Sequence, residues 1–407
     1  MAGEGLQFFA TNRAMETLSK AVELDAKPGA GNKEKAERYR LQSGGYYFVD
    51  ADEYMSYYLA QVDGSVMPET AIVRDSNDDV FDKFLARPEI GRVVVCVHGF
   101  NVDFHHAITW FRILTDTMRH RGFGKAMALR ADDSSFAGAT PDSLTAFIGF
   151  SWPSNGSTFA YNRDQADAVA SGQAFINLLV RLRIHGKRVA LICHSMGNYL
   201  ACNALAGLVN KVFLPVAMTT EYIQERFKDM PDADAQALEA KIRNEISRAK
   251  DAKRQPPYLI ETYVMIAPDV ERRHVTKSRD EQSKRAYVGP FYSGLEHIVG
   301  NVVNVYSRFD GALSVSTIEK KPKDWALKVG DALAAITPWG ALDDLKRDPD
   351  NKWEMRLGSS AHPITAPANF ASLNATEIAG RPIDHSDHID SAPVAEAIAS
   401  ALGLKKD

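Results

Sequence analysis

The stretch RVVVCVH at 92–98 is almost wholly apolar and β-branched, with no polar alternation. A strand apolar on both faces must be covered on both faces, which is the condition of an inner strand in a parallel sheet. The run ends at Gly99. Phe104, Ile108, Phe111, Thr115 and Met118 then recur at helical spacing, and Gly122 is placed to end that helix. The same alternation continues with a strand at 146–152, a helix from about Asp164 to Ile184 closed by Gly186, and a strand at Arg188–Cys193. A helix from Met196, strands at 258–266 and 302–307, and a last helix at 391–402 complete it. Strands alternating with helices at this pitch build βαβ units, so the expected class is α/β with a mostly parallel central sheet flanked by helices.

At 407 residues the chain suits one large α/β domain with insertions. Residues 1–90 read as strands and helices joined to a core spanning 91–407, with Gly29–Lys35 a loop and Tyr46–Phe48 and Tyr54–Tyr58 packed. Two segments break the alternation. Residues 213–257 hold a charged helix with Leu238, Ile242 and Ile246 on a narrow apolar stripe, stopped by Pro256-Pro257. Residues 318–352 are helical around 332–336. A narrow stripe can lie on a neighbour but cannot build a core, so both are expected to sit above the sheet, the first as a possible lid.

With 48 basic and 52 acidic residues the net charge is −4, which argues against a nucleic-acid partner. Cys96, Cys193 and Cys202 are an odd number without metal-ligand spacing, and they predict small core residues rather than disulfides. That fits a reducing compartment, and a cytoplasmic location is expected. The first residues lack a basic segment followed by an apolar core, and no apolar stretch approaches the ~18–20 residues of a membrane span. No GxxxxGK[ST], CxxC pair or HExxH occurs, so no cofactor or metal is expected. His105-His106 opens a helix, where adjacent side chains point different ways, which argues against a joint metal site. Oligomeric state is not legible.

The chemistry-bearing stretch is LICHSMGNYL at 191–200. A serine on a tight turn between a buried strand and a helix stands at the tip of the sheet, and small residues two before and two after it avoid clashes. Here Cys193 and Gly197 flank Ser195, so a cysteine stands where the pattern has its first glycine. VHGFN at 97–101 ends an earlier buried strand, where the turn offers an N–H, that of Phe100, beside that of Met196 as an oxyanion pair. In such a chain order the acid and then the histidine follow the serine. Asp269 and Asp310 are the acids at strand ends; His362, His385 and His388 are the late histidines. Trp152-Pro153 ends a strand, as pocket lining or as core.

FFATNR (8–13), VHGFN (97–101), FSWPSNG (150–156), HSMGN (194–198), IAPD (266–269), YSRFDGALSVS (306–316) and the late HSDH resemble, in the same order, one group of bacterial α/β-hydrolases of unassigned function. The resemblance covers nearly the whole chain outside 213–257. It implies the α/β-hydrolase fold, Ser195 as nucleophile, Asp310 as acid and His385 as base. Cys193 departs from that group, as does the aspartate after HS, where an aromatic is usual; the latter leaves His388 open beside His385, and Asp269 is the alternate acid. The implied reaction is hydrolysis of a small carboxylic ester or related acyl substrate through an acyl-enzyme. The rival expectation is a non-catalytic binding module on the same scaffold.

Overall fold

The apolar runs become the inner strands of one sheet. The computed structural model describes residues 7–13, 45–62, 76–154, 161–209, 231–248, 258–279, 286–313 and 356–407. The strands are β1 (Phe8–Thr11), β2 (Tyr47–Asp50), β3 (Ile90–Val97), β4 (Met127–Ala128), β5 (Leu144–Ser151), β6 (Arg188–His194), β7 (Ile260–Ile266), β8 (Lys277–Arg279), β9 (Ala286–Val288), β10 (Val299–Tyr306) and β11 (Phe370–Asn374). The helices are α1 (Ala51–Val62), α2 (Ser76–Ala86), α3 (Phe104–Met118), α4 (Tyr161–Ala170), α5 (Gly172–Ile184), α6 (Met196–Val209), α7 (Asp232–Arg248), α8 (Tyr292–Ile298), α9 (Ala375–Ala379) and α10 (Ala392–Ala401).

The main sheet runs β11-β10-β7-β6-β3-β5-β1-β2, with β4 beside β5. Every pairing in it is parallel except β1 with β2. β3 lies between β5 and β6, with Cys96 opposite Gly149 on one side and Ile192 on the other. Its alternate residues face two cores: Val93, Val95 and Val97 pack with α4, α5 and α6, while Val94 and Cys96 pack with α3 and α10. That two-sided burial is why the strand carries no polar alternation. The fold is the expected α/β class, with a mostly parallel sheet flanked by helices.

Several local expectations are revised. The single helix expected from Asp164 to Ile184 is two, α4 and α5, separated at Ser171, whose hydroxyl donates to Asp167 O at 2.7 Å and accepts from Asn12 Nδ2 at 2.9 Å. Such back-bonding competes with the helix's own ladder. After α3 the chain widens over Arg119–Phe123, and Gly122 takes φ 87°, the left-handed geometry its position suggested. β11 is not among the expected strands: FASLN lies at the sheet edge, partly exposed and without an apolar run. Within the segment 213–257, α7 docks with Ala235 buried and Leu238 packed against the core, whereas the Ile242 and Ile246 side chains lie outside the described residues. Gly29–Lys35 and 318–352 lie outside them too. Among the described residues no helix is long and apolar enough to cross a membrane.

Candidate active site

β6 ends at His194 and α6 begins at Met196, so Ser195 alone makes the turn, with φ 51°. A side chain bearing Cβ rarely adopts that left-handed geometry, which costs about 1–3 kcal/mol and persists only where the surroundings over-determine it. Here they do. Ser195 N–H donates to Ile266 O at 3.0 Å, and its carbonyl accepts from the N–H groups of Asn198 (3.1 Å) and Asp269 (3.2 Å). Asn198 Nδ2 reaches the carbonyls of Cys193, Ser195 and Ile266 at 3.0, 3.1 and 3.2 Å, while Tyr263 O–H donates to Asn198 Oδ1 at 3.0 Å. The asparagine closing HSMGN therefore fixes the elbow, a role that the motif alone did not disclose.

The glycine positions have a steric cause. A Cβ on Gly197 would stand 2.4 Å from His98 O, and one on Gly99 would stand 2.8 Å from Ser195 Cβ. Both turns are thus pressed together at van der Waals limits, which brings the Phe100 turn against the start of α6. Among the described residues neither the Phe100 nor the Met196 amide donates to any acceptor. Cys193 needs no glycine: its φ is not in the left-handed region, and its thiol is buried beside Tyr263 and Cys202. Burial there pushes the thiol well above its ordinary pKa, so it is inert.

The loop after β10 supplies Asp310, wholly buried, whose Oδ2 lies 2.8 Å from Nδ1 of His385 in the loop before α10. Burial alone would lower the His385 pKa, but the charge and hydrogen bond of Asp310, with Asp269 and Asp384 adding, hold it above the ordinary histidine value. His388 Nδ1 contacts His385 O at 3.3 Å, and burial lowers its pKa against the opposing pull of the Asp310 charge. His362 is bound to Ser372 Oγ through Nδ1 at 2.7 Å. Asp269 is engaged by Tyr161 O–H at 2.5 Å and by Arg356 Nε at 3.2 Å. Arg356, far off in sequence, supplies the cation beside it.

Among the described residues Ser195 Oγ makes no hydrogen bond to His385. The elbow and the histidine loop are joined one residue earlier: His194 Nε2 lies 3.1 Å from His385 O, with the two rings 4.8 Å apart. Burial holds His194 well below the ordinary pKa, with the neighbouring His385 adding to the effect. A neutral His194 keeps one N–H to donate to that carbonyl.

Behind the Phe100 turn the blocks lock one another. His98 lies stacked on Trp152, whose indole N–H donates to His98 O at 3.0 Å. His98 Nε2 meets Ser151 Oγ at 3.1 Å, and that hydroxyl also accepts from Arg13 Nε at 3.1 Å. Arg13 Nη2 donates to Val102 O at 3.0 Å. Burial, aided by Arg13, takes the His98 pKa down to about 3, so it is a neutral strut. Trp152 is therefore core. The expectation that His105 and His106 diverge is corrected: both Nδ1 atoms stand at Asp103 Oδ1, at 2.8 and 2.7 Å, and the three donors lie within 4.8 Å of one another. Asp103 is the N-cap of α3, accepting from His106 N–H, and the two rings crowd around that cap.

Residues 73–324 match the family model described as alpha/beta hydrolase of unknown function (DUF900). The uncharacterized protein alr1448 of Nostoc sp. strain PCC 7120 is 36% identical over 401 residues, 98% of this chain and 93% of that protein. No solved structure matches.

Proposed function

Because the chain belongs to the DUF900 family of alpha/beta hydrolases, we propose that it is a serine hydrolase cleaving a small carboxylic ester or related acyl substrate. The observation that carries the reading is the 2.8 Å pairing of buried Asp310 with His385 on a loop tied to the Ser195 elbow. With Nδ1–H donated to Asp310, the Nε2 lone pair of His385 is available as a base. It takes the Ser195 Oγ proton as Oγ attacks the acyl carbon; that Ser–His contact is of the kind that tightens when substrate binds. The carbonyl oxygen becomes an oxyanion between the Phe100 and Met196 amides, each such donor supplying about 3 kcal/mol to the transition state. Collapse expels the alkoxide, which takes the proton from His385. Water, deprotonated by the same imidazole, then releases the acid and restores Ser195.

Three free, buried cysteines suit a reducing compartment, and the cytoplasm is the proposed location. The decisive experiment is labelling with a fluorophosphonate followed by a panel of short esters, with Ser195→Ala alongside. Labelling of Ser195 and ester turnover are expected in the native chain. Neither label nor turnover would leave the scaffold as a binding module.

A further inference from the structure

We infer that Tyr161 and Asp269 are positioning residues that hold the two oxyanion donors, the amides of Phe100 and Met196, in register; the inference rests on the hydrolase reading. Asp269 is buried, is not the carboxylate that His385 Nδ1 meets, and is built into the elbow by its backbone: its N–H donates to Ser195 O at 3.2 Å. Ser195 C=O and Met196 N–H are the two ends of one planar trans peptide, so they point in opposite directions. Holding the oxygen from one side with Asp269 N–H, and with Asn198 through both its backbone and its side chain, aims the Met196 N–H to the other.

The side chain of Asp269 extends the brace to the second donor. Its Oδ2 accepts from Tyr161 O–H at 2.5 Å, and its Oδ1 faces Arg356 Nε at 3.2 Å. Tyr161 is buried at the start of α4, and its ring meets that of Phe100 edge-on, with centroids 5.7 Å apart and planes at 67°. Phe100 is itself half-buried and belongs to the turn whose amide is the other donor. A closed path thus runs from the Phe100 turn through Tyr161 and Asp269 to the Ser195–Met196 peptide. Arg356 anchors it from behind, and Glu271 lies on that guanidinium at 3.5 Å. Buried ion pairs are poor sources of stability, and fixed geometry is what one beside a reacting serine supplies. Oxyanion stabilisation depends on donors within tenths of an ångström of where charge develops, so a slackened brace is felt in the rate.

The test compares the native chain with Tyr161→Phe, Asp269→Asn and Phe100→Ala; the last keeps the amide but removes the ring that Tyr161 supports. For each, fluorophosphonate titration counts competent sites, and kcat, KM and inhibition by a trifluoromethyl ketone ester analogue are then measured per site. The expected result is a kcat about 10–100-fold lower, a KM within about twofold of native, and ketone inhibition weakened by about the same factor as kcat. In Tyr161→Phe the pH midpoint of kcat/KM stays put, because the base and its acid are untouched. A purely structural role would instead reduce the number of competent sites and the melting temperature, leaving per-site kcat and ketone affinity native; that result would overturn the inference. If Tyr161→Phe does not fold, Phe100→Ala decides between the same two outcomes. A native chain that neither labels nor turns over would sink the hydrolase reading, and the inference with it; a competent native chain with native per-site behaviour in the variants would sink the inference alone.

Discussion

Asp310 Oδ2 and His385 Nδ1 stand 2.8 Å apart although 75 residues separate them in the chain, and among the described residues neither His362 nor His388 hydrogen-bonds Asp310. That contact orients one imidazole and leaves His388 and Asp269 in supporting positions. His385→Ala and Asp310→Asn are therefore expected to lose about 10⁴-fold or more in kcat. His388→Ala and Asp269→Asn should keep turnover that is readily measured. Steady-state assays of the four variants check this; the reverse ranking within either pair would transfer the role.

Ser195→Ala should abolish both fluorophosphonate labelling and hydrolysis, a loss of about 10⁶ in kcat for a serine of this kind. The fold should survive, because the hydrogen bonds of the elbow run through the backbone of Ser195 and the side chain of Asn198. Intact-mass spectrometry after labelling and circular dichroism read the two halves of the prediction. Full activity in the alanine variant ends the serine-hydrolase proposal.

The pH profile follows from the charge around His385. A base must be neutral, and the Asp310 carboxylate holds the His385 pKa above the ordinary value. Activity should therefore fall as pH is lowered, with a kcat/KM midpoint above about 6.5. Asp269 adds to the same shift, so Asp269→Asn removes a negative charge, destabilises the imidazolium and moves the midpoint to lower pH. A midpoint that moves up in that variant contradicts the sign.

Gly197→Ala should cost about 1–3 kcal/mol in urea unfolding and most of the activity, because the new Cβ meets His98 O at 2.4 Å and one turn must retreat. A variant as stable and as active as the native chain would mean that the two turns are less tightly opposed than they stand.

Deletion of 232–253 is expected to change the ranking of esters more than the stability. Among the described residues α7 packs apolar side chains on the core through Ala235 and Leu238, worth about 2 kcal/mol together. Comparing an ester panel with an unfolding curve for the shortened chain tests this. Collapse of the fold would make the segment structural.

How far the sequence reached can be judged strand by strand and residue by residue. RVVVCVH, LICH and YVMI declared themselves because a strand buried on two faces must be apolar throughout, and that alone determines the parallel sheet and the elbow at its tip. FASLN did not, since an edge strand draws its stability from main-chain bonds that any residue supplies. The glycines at 99 and 197 marked the turns, while the reason for them, two backbones at contact distance, lies between segments about a hundred residues apart. Chain order narrowed the acid to two and the histidine to three. Their pairing needed tertiary structure, because the fold decides which side chain is carried to each carboxylate: His385 to Asp310, Tyr161 and Arg356 to Asp269. Local periodicity is written into neighbouring residues and can be read from them; the pairing of charges across the sheet is a property of the closed fold.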